Sequence, residues 1–554
     1  IADAPMFEKV EQVNAYVNMF ISKEEFVKDV VEDVLEKDGE YGKTNIGNGT
    51  PVIVEFSSPN IAKPFHIGHI RSTVIGNSIY KLYDAMGYQV TRINHLGDYG
   101  TQFGKMICAY RHWGNKEDVI NEPIKTLLSY YTKFHVEVET HPELDDEARE
   151  IFAKLEKGEP EEVALWQWFR DESLKEFTRV YKMLGIEFDS YNGESFYSDK
   201  MPRFVEELKA KGLLEESQGA QIVNLEEYGM SPALITKSDG STLYITRDIA
   251  AAVYRKETYD FYKNLYIVAS QQNLHFQQLK KILEKMGYEW AKDCVHVAFG
   301  MISYEGQALS TRKGHVVYLE DLLEQAPTKA LDIINEKSPN LPNKEDIARQ
   351  VGIGAVVYTD LSNNRIKDVD FCWDRALNFD GESGPYVQYT HTRCCSVLRK
   401  AAEMSLPEAD MNALTDDEAQ ALLRLLGRFP DVIKEAAEKY EPSMITRAVT
   451  DIAQAYNKFY YEHRILDGEP ATAAARVALT KATKDVIKTV ADRHRSTRTH
   501  VREKEETRGR RMEEKPTQSR VNSFSARIGR KKRLLCRIPD CLLMNGGQSL
   551  CSEK

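Results

Sequence analysis

Two histidines flank a glycine in the stretch His66-Ile-Gly-His69, and this spacing is suited to binding phosphate. Residues three apart share one face of a helical turn, so both imidazoles would face the same ligand. Gly68 has no side chain, which allows a flat base or a sugar to lie close to the backbone. Lys63 adds a flexible cation just before the turn. These residues predict hydrogen bonds and positive charge directed at phosphate oxygens; the alternative is that they only complete a helix start.

A strand, a loop and a helix are predicted to position these residues. The run from Val52 to Val54 is apolar, a proline-containing loop follows it, and a long amphipathic segment begins near Gly68. Such a strand is typical of a parallel sheet, and it would end at the carboxyl edge where the helix begins. The start of that helix is predicted to offer unpaired backbone N–H groups and partial positive charge to an anion.

The composition is that of an ordinary globular protein with more than one core. A chain of 554 residues with 42% hydrophobic and 29% charged residues predicts two to four domains. It contains no apolar run of about 18 residues and no basic-then-apolar start, so a membrane span and secretion are not expected. Eight cysteines lack a CxxC pair, and adjacent Cys394 and Cys395 suit neither a simple disulfide nor a zinc knuckle. Reduced thiols in a cytoplasmic protein, with no metal site, are therefore predicted.

The net charge of −11 hides an uneven distribution. Residues 490–554 contain 17 Lys+Arg and 8 Asp+Glu, which makes this tail +9 and the rest of the chain −20. A nucleic acid responds to the local field of a protein, so an acidic body can still bind RNA through basic patches. Charge therefore neither supports nor excludes an RNA partner.

With its surroundings, the stretch around His66 resembles the His-Ile-Gly-His signature of class I aminoacyl-tRNA synthetases, in the form found in arginyl-tRNA synthetases. The block from Ile93 to Lys105 resembles the next part of the same family. The resemblance implies that His66, His69 and Lys63 are catalytic and that Gly68 contacts ATP.

A second phosphate-binding element is implied by the same resemblance. The stretch from Leu309 to Val317 resembles the family's Lys-Met-Ser-Lys-Ser loop in degenerate form, with Arg312 in place of the second lysine and Lys313 beside it. Many arginyl enzymes combine this degenerate loop with a lysine placed as Lys63 is here. Ser310, Arg312 and Lys313 are therefore expected to bind ATP, and the alternative is an ordinary basic turn.

The resemblance also implies how an arginine substrate is bound. A guanidinium group prefers bidentate carboxylates, and the α-ammonium needs a further acceptor. Tyr244 and Asp248 match the family positions that hold the guanidinium end. The other family positions for arginine are occupied by Glu55, Asn60, His66 and Gln272. For Asp248 and Glu55 the alternative is a structural ion pair, because a buried carboxylate needs a partner.

From about Asn378 onward the pattern indicates helices without strand alternation and resembles the family's helical anticodon-binding domain. Aromatic rings in such a domain can stack on unpaired bases. The residues implied to bind tRNA are Tyr386, Tyr389, Tyr456 and Tyr460. The alternative is that these aromatics, spaced as on a helix, belong to the core.

The chain is predicted to divide into four segments. Residues 1–45 would be the remnant of a truncated amino-terminal tRNA-binding domain, with a helical pattern from Phe7 to Val17; the alternative is a short native arm. The class I catalytic domain is predicted at 46–377, with the connective insertion inside it at about 110–225. The helical anticodon-binding domain follows at 378–489, and the tail at 490–554. Within the catalytic domain, residues 243–249 are predicted to end a strand.

The tail departs from the family pattern after Thr489. The family has a short apolar segment ending near Gly-Ile-Glu-Ala-Pro-Glu-Arg-Met, whereas this chain becomes arginine-rich and unpatterned. Degenerate codons for Arg493 to Val501, read one nucleotide later, permit the family segment followed by a stop. We therefore expect a frameshift near Thr489 and a non-native, disordered tail; the rival is a native basic tail for tRNA.

The sequence thus predicts a Rossmann-type α/β core with a parallel sheet, followed by an all-α domain. The resemblance implies an arginine–tRNA ligase that uses L-arginine, ATP with Mg²⁺ and tRNA(Arg), and acts as a monomer in the cytoplasm. Three rivals are a class I synthetase for cysteine or glutamine, a non-enzymatic RNA-binding relic, and a small-molecule nucleotidyl ligase. A cysteine enzyme would show zinc-ligand cysteines, a glutamine enzyme would not require Asp248 with Glu55, and a small-molecule ligase would not need the helical domain.

Overall fold

The structure, a computed structural model, describes residues 6–63, 65–237, 244–308 and 317–493, with the backbone alone at 491–493. Its strands are β1 Phe7–Val13, β2 Tyr16–Ile21, β3 Pro51–Glu55, β4 Gln89–Ile93, β5 Glu215–Ser217, β6 Ala220–Val223, β7 Ala233–Thr236, β8 Lys263–Tyr266, β9 Cys294–His296, β10 Ile302–Tyr304, β11 Gln307–Ala308 and β12 Val369–Phe371. Its helices are α1 Lys23–Lys37, α2 Gly68–Ala85, α3 Thr101–Trp113, α4 Lys116–Asn121, α5 Pro123–Glu137, α6 Glu143–Glu156, α7 Pro160–Leu184, α8 Met201–Ala210, α9 Tyr244–Tyr259, α10 Asn273–Lys285, α11 Leu319–Lys337, α12 Lys344–Leu361, α13 Trp373–Ala376, α14 Gly384–Ala402, α15 Asp417–Glu438, α16 Ser443–Glu462 and α17 Pro470–Arg493.

A parallel sheet in the order β4-β3-β8-β9 carries the predicted strand, loop and helix. Val52, Ile53 and Val54 of β3 are completely buried, which is typical of a parallel strand covered on both faces. Helix α2 follows β3 and packs against β3 and β4. The loop that joins β3 to α2 therefore lies at the carboxyl edge of the sheet, as predicted.

The first described residues form a hairpin rather than the predicted helix. Strands β1 and β2 pair antiparallel, with Val13 opposite Tyr16. Asn14 makes the turn with φ of 56°, a left-handed conformation that its short polar side chain tolerates. The helical prediction for Phe7 to Val17 was wrong because β-branched and aromatic residues at three- and four-residue spacing can also belong to strands.

The segment 243–249, predicted to end a strand, is helical from Tyr244 onward, and Leu243 lies outside the described residues. The Thr246 hydroxyl donates to the Ile235 carbonyl at 2.8 Å, which fastens the first turn of α9 to the antiparallel sheet β5-β6-β7. Helix-forming alanines continue the element from Ala250. The strand prediction was wrong because periodicity does not distinguish a short apolar strand from a buried helix turn.

Helices dominate the remaining parts of the described chain. The stretch from about 110 to 225 contains α4–α8, in line with a helix-rich insertion, and residues 378–493 contain helices without any strand. In this last part α14, α16 and α17 pack on one another and α15 packs on α16. Helix α1 packs against α15 and α17, and the Tyr41 hydroxyl donates to the Leu426 carbonyl at 2.9 Å. The amino-terminal helix is therefore part of the carboxyl-terminal bundle.

Across the described ranges, every helix is too short or too polar to cross a membrane. The five cysteines in that part of the chain, Cys108, Cys294, Cys372, Cys394 and Cys395, are free thiols.

Candidate active site

His66 and His69 lie at the first turn of α2, and their ring centroids are 4.1 Å apart. Both imidazoles therefore face the same space, as their spacing predicted. Nδ1 of His66 accepts the Gly68 N–H at 3.0 Å. Because a neutral imidazole carries one proton, this contact leaves the proton of His66 on Nε2.

His69 has the same tautomer. Its Nδ1 lies 3.1 Å from the His66 N–H and 3.2 Å from the His66 carbonyl oxygen. Since that N–H has no other acceptor in the described part of the chain, we assign Nδ1 as the acceptor. Both rings then present an Nε2–H donor.

The two imidazoles are neutral at physiological pH. Burial lowers the pKa of His66. Burial, together with the nearby His66, lowers the pKa of His69 to about 3. These side chains can therefore stabilise developing negative charge through oriented N–H dipoles rather than through full positive charges.

The predicted unpaired backbone N–H groups at the start of α2 are not present. Each backbone N–H from His66 to Ile70 has an acceptor: the Nδ1 atoms of the two histidines, or the carbonyl oxygens of Val317, His66 and Ile67. The prediction was wrong because the histidines cap their own turn. Their Nε2–H groups replace the backbone as donors to a ligand.

The other residues predicted to contact ATP are placed only in part. Gly68 is the first residue of α2, and Lys63 is exposed in the preceding loop. Ser310, Arg312 and Lys313 lie outside the described residues.

A cluster of charged groups lies around the first turn of α9. The Asp248 carboxylate contacts His275 Nε2 at 2.6 Å, and the Glu194 carboxylate lies 3.0 Å from the Arg247 guanidinium. Tyr244 is 61% exposed, and the centroid of its ring lies 5.5 Å from that guanidinium. Tyr244 and Asp248 are one turn apart on the same face of α9.

The two carboxylates differ in protonation. Burial raises the pKa of Glu194 to about 7, with Arg247 opposing the shift and Asp248 and Asp98 adding to it. Burial would also raise the pKa of Asp248, but its hydrogen bond to His275 lowers it overall. The same pair raises the pKa of His275 against the effect of burial. At pH 7 the cluster holds an ionised carboxylate and a second one near half-protonation, which a bound cation would ionise.

Glu55, at the end of β3, is paired within the protein. Its carboxylate lies 2.5 Å from the Arg255 guanidinium, and the two side chains are 7% and 0% exposed. Arg255 also approaches Nδ1 of His95 at 3.4 Å. These contacts match the structural ion pair that the sequence left open, rather than a carboxylate that faces a substrate.

Two close backbone approaches connect Asn60 to Glu194. A Cβ on Gly97 would lie 2.0 Å from Asn60 Oδ1, and one on Gly193 would lie 2.6 Å from Asp98 Oδ1. Because neither glycine has a side chain, the loop after β3 can contact the loop after β4, and that loop can contact the segment that begins at Glu194. Asn60, in an exposed position, and Glu194 therefore border the same region.

Gln272 is exposed at the end of the short turn that precedes α10, three residues before His275. That spacing places it on the helix face that carries the partner of Asp248. Sequence reasoning did not identify Glu194, His275, His95 or Arg255. In the sequence, Glu194 stands out only as an acidic residue directly after Gly193, and its position in the chain does not link it to Asp248.

Comparison with known proteins identifies the family. The family described as "tRNA synthetases class I (R), catalytic domain" matches residues 30–373, and the "DALR anticodon binding domain" matches residues 387–492. An arginine–tRNA ligase of Clostridioides difficile (strain 630) is 58% identical over 479 residues, which cover 86% of this chain and 85% of that protein. This chain belongs to the arginyl-tRNA synthetases.

Two further relatives agree with this family assignment. The arginine–tRNA ligase of Halothermothrix orenii is 56% identical over 483 residues, covering 87% of this chain and 85% of its own. The crystal structure of arginyl-tRNA synthetase from Plasmodium falciparum has a TM-score of 0.72 at 25% identity, covering 89% of this chain and 85% of that one. The predicted family, the class I α/β fold with its helical anticodon-binding domain, and the function of arginine–tRNA ligase are confirmed. The predicted domain boundaries stay predictions.

In this arginyl-tRNA synthetase, two of the predicted tRNA-binding tyrosines form an exposed sandwich. Tyr389 and Tyr460 are 50% and 40% exposed, and the Arg393 guanidinium lies 5.1 and 4.8 Å from their ring centroids. Tyr386 is half-buried, and its hydroxyl accepts from Asn457 Nδ2 at 2.9 Å. Exposed rings held by a guanidinium are suited to stacking on bases.

Tyr456 does not belong to this surface. Its side chain is completely buried, and its ring packs near Phe459, which is also buried. The prediction that Tyr456 contacts tRNA was wrong because its ring has no free face; it is a core aromatic on α16.

Proposed function

We propose that this chain joins L-arginine to tRNA(Arg) at the site between the first turns of α2 and α9. The arginine carboxylate attacks the α-phosphorus of ATP, which forms arginyl-adenylate and releases pyrophosphate. A ribose hydroxyl at the 3′ end of the tRNA then attacks the arginyl carbonyl and releases AMP. The observation that carries this proposal is the pair of neutral imidazoles with Nε2–H donors at the carboxyl edge of the sheet.

The phosphate side of the proposal rests on the α2 turn. His66 and His69 donate to oxygens of the α-phosphate as negative charge builds on them. Gly68 admits the nucleotide close to the backbone, and Lys63 supplies a cation from the preceding loop. ATP arrives as its Mg²⁺ complex, in which the metal offsets part of the triphosphate charge. Ser310, Arg312 and Lys313 are proposed as further ATP-binding residues.

The arginine side rests on the α9 cluster. Asp248 and Glu194 accept the guanidinium beneath Tyr244, and the Arg247 guanidinium already held there is evidence that the surroundings suit this group. Asn60, Gln272 and His66 are proposed to hold the α-amino and carboxyl end. Glu55 acts indirectly, by holding Arg255 against His95.

Arginine use is expected to fall in acid because Glu194 must be ionised to accept a guanidinium. With a pKa of about 7, Glu194 is protonated below that pH and ionised above it. The kcat/KM for arginine should therefore fall by about tenfold per pH unit below pH 7. Initial rates of arginine-dependent ATP–pyrophosphate exchange between pH 5.5 and 8.5 measure this. Glu194→Gln should remove the acid limb, whereas Glu172→Gln, a buried glutamate paired with Lys175, should keep it.

The anticodon-binding role is proposed for the Tyr389–Arg393–Tyr460 sandwich, with Tyr386 beside it. Stacking of one base contributes about 1–3 kcal/mol, so Tyr460→Ala should raise the KM for tRNA by about tenfold. The KM for arginine should stay unchanged. Aminoacylation rates over a range of tRNA concentrations measure both values. Tyr228→Ala, at a similarly exposed tyrosine outside the bundle, should leave the KM for tRNA unchanged; equal losses in the two variants would contradict the assignment.

The reaction itself is tested by arginine-dependent ATP–pyrophosphate exchange on the full chain, with and without tRNA(Arg). Exchange with arginine, and none with cysteine or glutamine, supports the proposal. Binding of tRNA without any exchange would instead support the non-enzymatic relic. We also propose that the chain acts as a monomer in the cytoplasm; light scattering at the mass of two chains would contradict the first point.

A further inference from the structure

Arg71 lies two residues after His69 on α2, and its side chain is fully buried. Its guanidinium contacts two loops, the loop between β9 and β10 and the loop between α12 and β12. Nothing in the phosphate or arginine chemistry described above uses this residue. A buried guanidinium is costly unless its donors are satisfied, so its partners indicate what it does.

Arg71 contacts both loops at once. Nη1 donates to the carbonyls of Gly300 and Lys367 at 2.8 Å and lies 3.3 Å from the Met301 carbonyl. Nη2 donates to the Arg365 carbonyl at 3.3 Å. The planar fork of a guanidinium can reach several such acceptors in fixed directions, which an ammonium group cannot.

Asp360, on α12, supplies the countercharge. Its Oδ1 lies 2.9 Å from Arg71 Nε, and both side chains are buried. Burial raises the pKa of Asp360, and Arg71 opposes that shift. A buried ion pair of this kind is weak evidence for stability, because desolvation cancels much of the attraction. Its directional contacts instead fix α2 relative to the two loops.

The first turn of α2 is also fixed by backbone hydrogen bonds to the residues at the start of α11. The Ile67 N–H donates to the Val317 carbonyl and the Leu319 N–H donates to the Phe65 carbonyl, both at 2.9 Å. Residues from Phe65 to Ile67 are therefore paired with the start of α11, and Arg71 ties the helix to the chain that leads into β10. The position of the two histidines is set by these two attachments together.

We propose that Arg71 is a positioning residue for the reaction, which holds His69 in line with the α-phosphate by anchoring α2 to the carbonyls of Gly300, Met301 and Lys367. His66 keeps its own attachment through the pairing of Phe65 and Ile67 with the start of α11. This inference rests on the proposed role of His69. Arg71 itself touches neither ATP nor arginine. A positioning role predicts a loss in kcat with the KM for arginine preserved, because the α9 cluster is not disturbed.

The test is Arg71→Lys in the full chain, assayed by arginine-dependent ATP–pyrophosphate exchange in the presence of tRNA(Arg). Lysine keeps the charge opposite Asp360 but loses the fork. A displacement of about 1 Å at reacting groups can cost about 100-fold, so we expect kcat to fall by about 30-fold. The KM for arginine should change by less than about twofold, since α9 keeps its contacts.

Arg92→Lys is the matched control. Arg92 is also buried, and its guanidinium forms two hydrogen bonds with Asp189 at 2.9 and 3.0 Å, but it lies on β4 rather than on α2. This variant should keep kcat within about twofold of the unmodified chain. Equal losses of kcat in the two variants, or failure of Arg71→Lys to fold while Arg92→Lys folds, would show a merely structural role and overturn the proposal.

A double-variant cycle with His69→Ala separates this inference from the histidine roles. If Arg71 acts through His69, adding Arg71→Lys to His69→Ala should cost less than about threefold more, because coupled residues are not additive. A full further 30-fold loss would overturn the positioning role and leave the histidine role standing. A His69→Ala variant with normal kcat would instead overturn the proposed histidine role, and the inference with it.

Gly300→Ala tests the same proposal by displacing the carbonyl oxygens that accept from Arg71. A Cβ at Gly300 would lie 2.5 Å from the Lys367 carbonyl oxygen, so the substitution must push apart the two carbonyls that share Arg71 Nη1. We expect the same pattern, a lower kcat with the KM for arginine preserved. A raised KM for arginine with normal kcat would contradict the proposal.

Discussion

Replacing Asp248 with asparagine is expected to raise the KM for arginine by about a hundredfold, because removing one partner of a charge pair costs about 2–5 kcal/mol when the pair is buried, and this carboxylate is 26% exposed. The asparagine side chain is nearly isosteric with aspartate and could still accept a hydrogen bond from His275. The substitution therefore removes the negative charge while preserving the shape of the pocket. Since the α2 turn is untouched, kcat at saturating arginine should change far less than KM.

The measurement is arginine-dependent pyrophosphate exchange over a wide arginine range, with citrulline as a competitor. Citrulline has nearly the shape of arginine but no charge, so the unmodified chain should reject it and Asp248→Asn should discriminate less. Asp416→Asn is the matched control, since Asp416 lies 3.0 Å from His463 in the helical bundle. A normal KM for arginine in Asp248→Asn would assign Asp248 to the structural ion pair that its contact with His275 also permits.

The parts of this site that the sequence predicts are those that lie close together in the chain. Strand β3, its loop and the turn with His66 and His69 are contiguous, so local pattern and spacing determine how they face. Tyr244 and Asp248 were paired by family resemblance rather than by spacing, because their element was wrongly predicted as a strand. In the structure one turn of α9 separates them and places both on one helix face.

The contacts of this site that the sequence does not predict join residues that are distant in the chain. Glu194 meets Arg247, Glu55 meets Arg255 and Arg71 meets Asp360 only after folding. Likewise, the burial of Tyr456 and the exposure of Tyr460, four residues later on the same helix, depend on how α14 and α17 pack against α16. Side-chain type alone cannot separate a core tyrosine from one that faces RNA.

The capping of α2 by its own histidines leads to the second large expected effect, for His69. Its Nδ1 is used by the His66 N–H, so only Nε2–H is left for a ligand. Removing one preorganised donor to developing charge costs about 10²–10³ in rate, so His69→Ala should lower kcat by that factor. The KM for arginine should change little, because the α9 cluster does not include His69.

Two conservative variants separate the two nitrogens of that ring. Asparagine places an oxygen near Nδ1 and can preserve the cap, whereas glutamine can place an N–H near Nε2. If the Nε2–H donor carries the effect, His69→Gln should retain more kcat than His69→Asn in the exchange assay. His112→Ala, on the exposed face of α3, should leave kcat unchanged.

Because the pKa of His69 is lowered to about 3, its imidazole stays neutral throughout the working range of the enzyme. The fold loss in His69→Ala should therefore be the same at pH 6 and pH 9. A loss that vanishes at high pH would mean that His69 acts as a protonated acid. In that case the α-phosphate would be stabilised by a full charge, and the neutral donor pair derived from the α2 turn would be wrong.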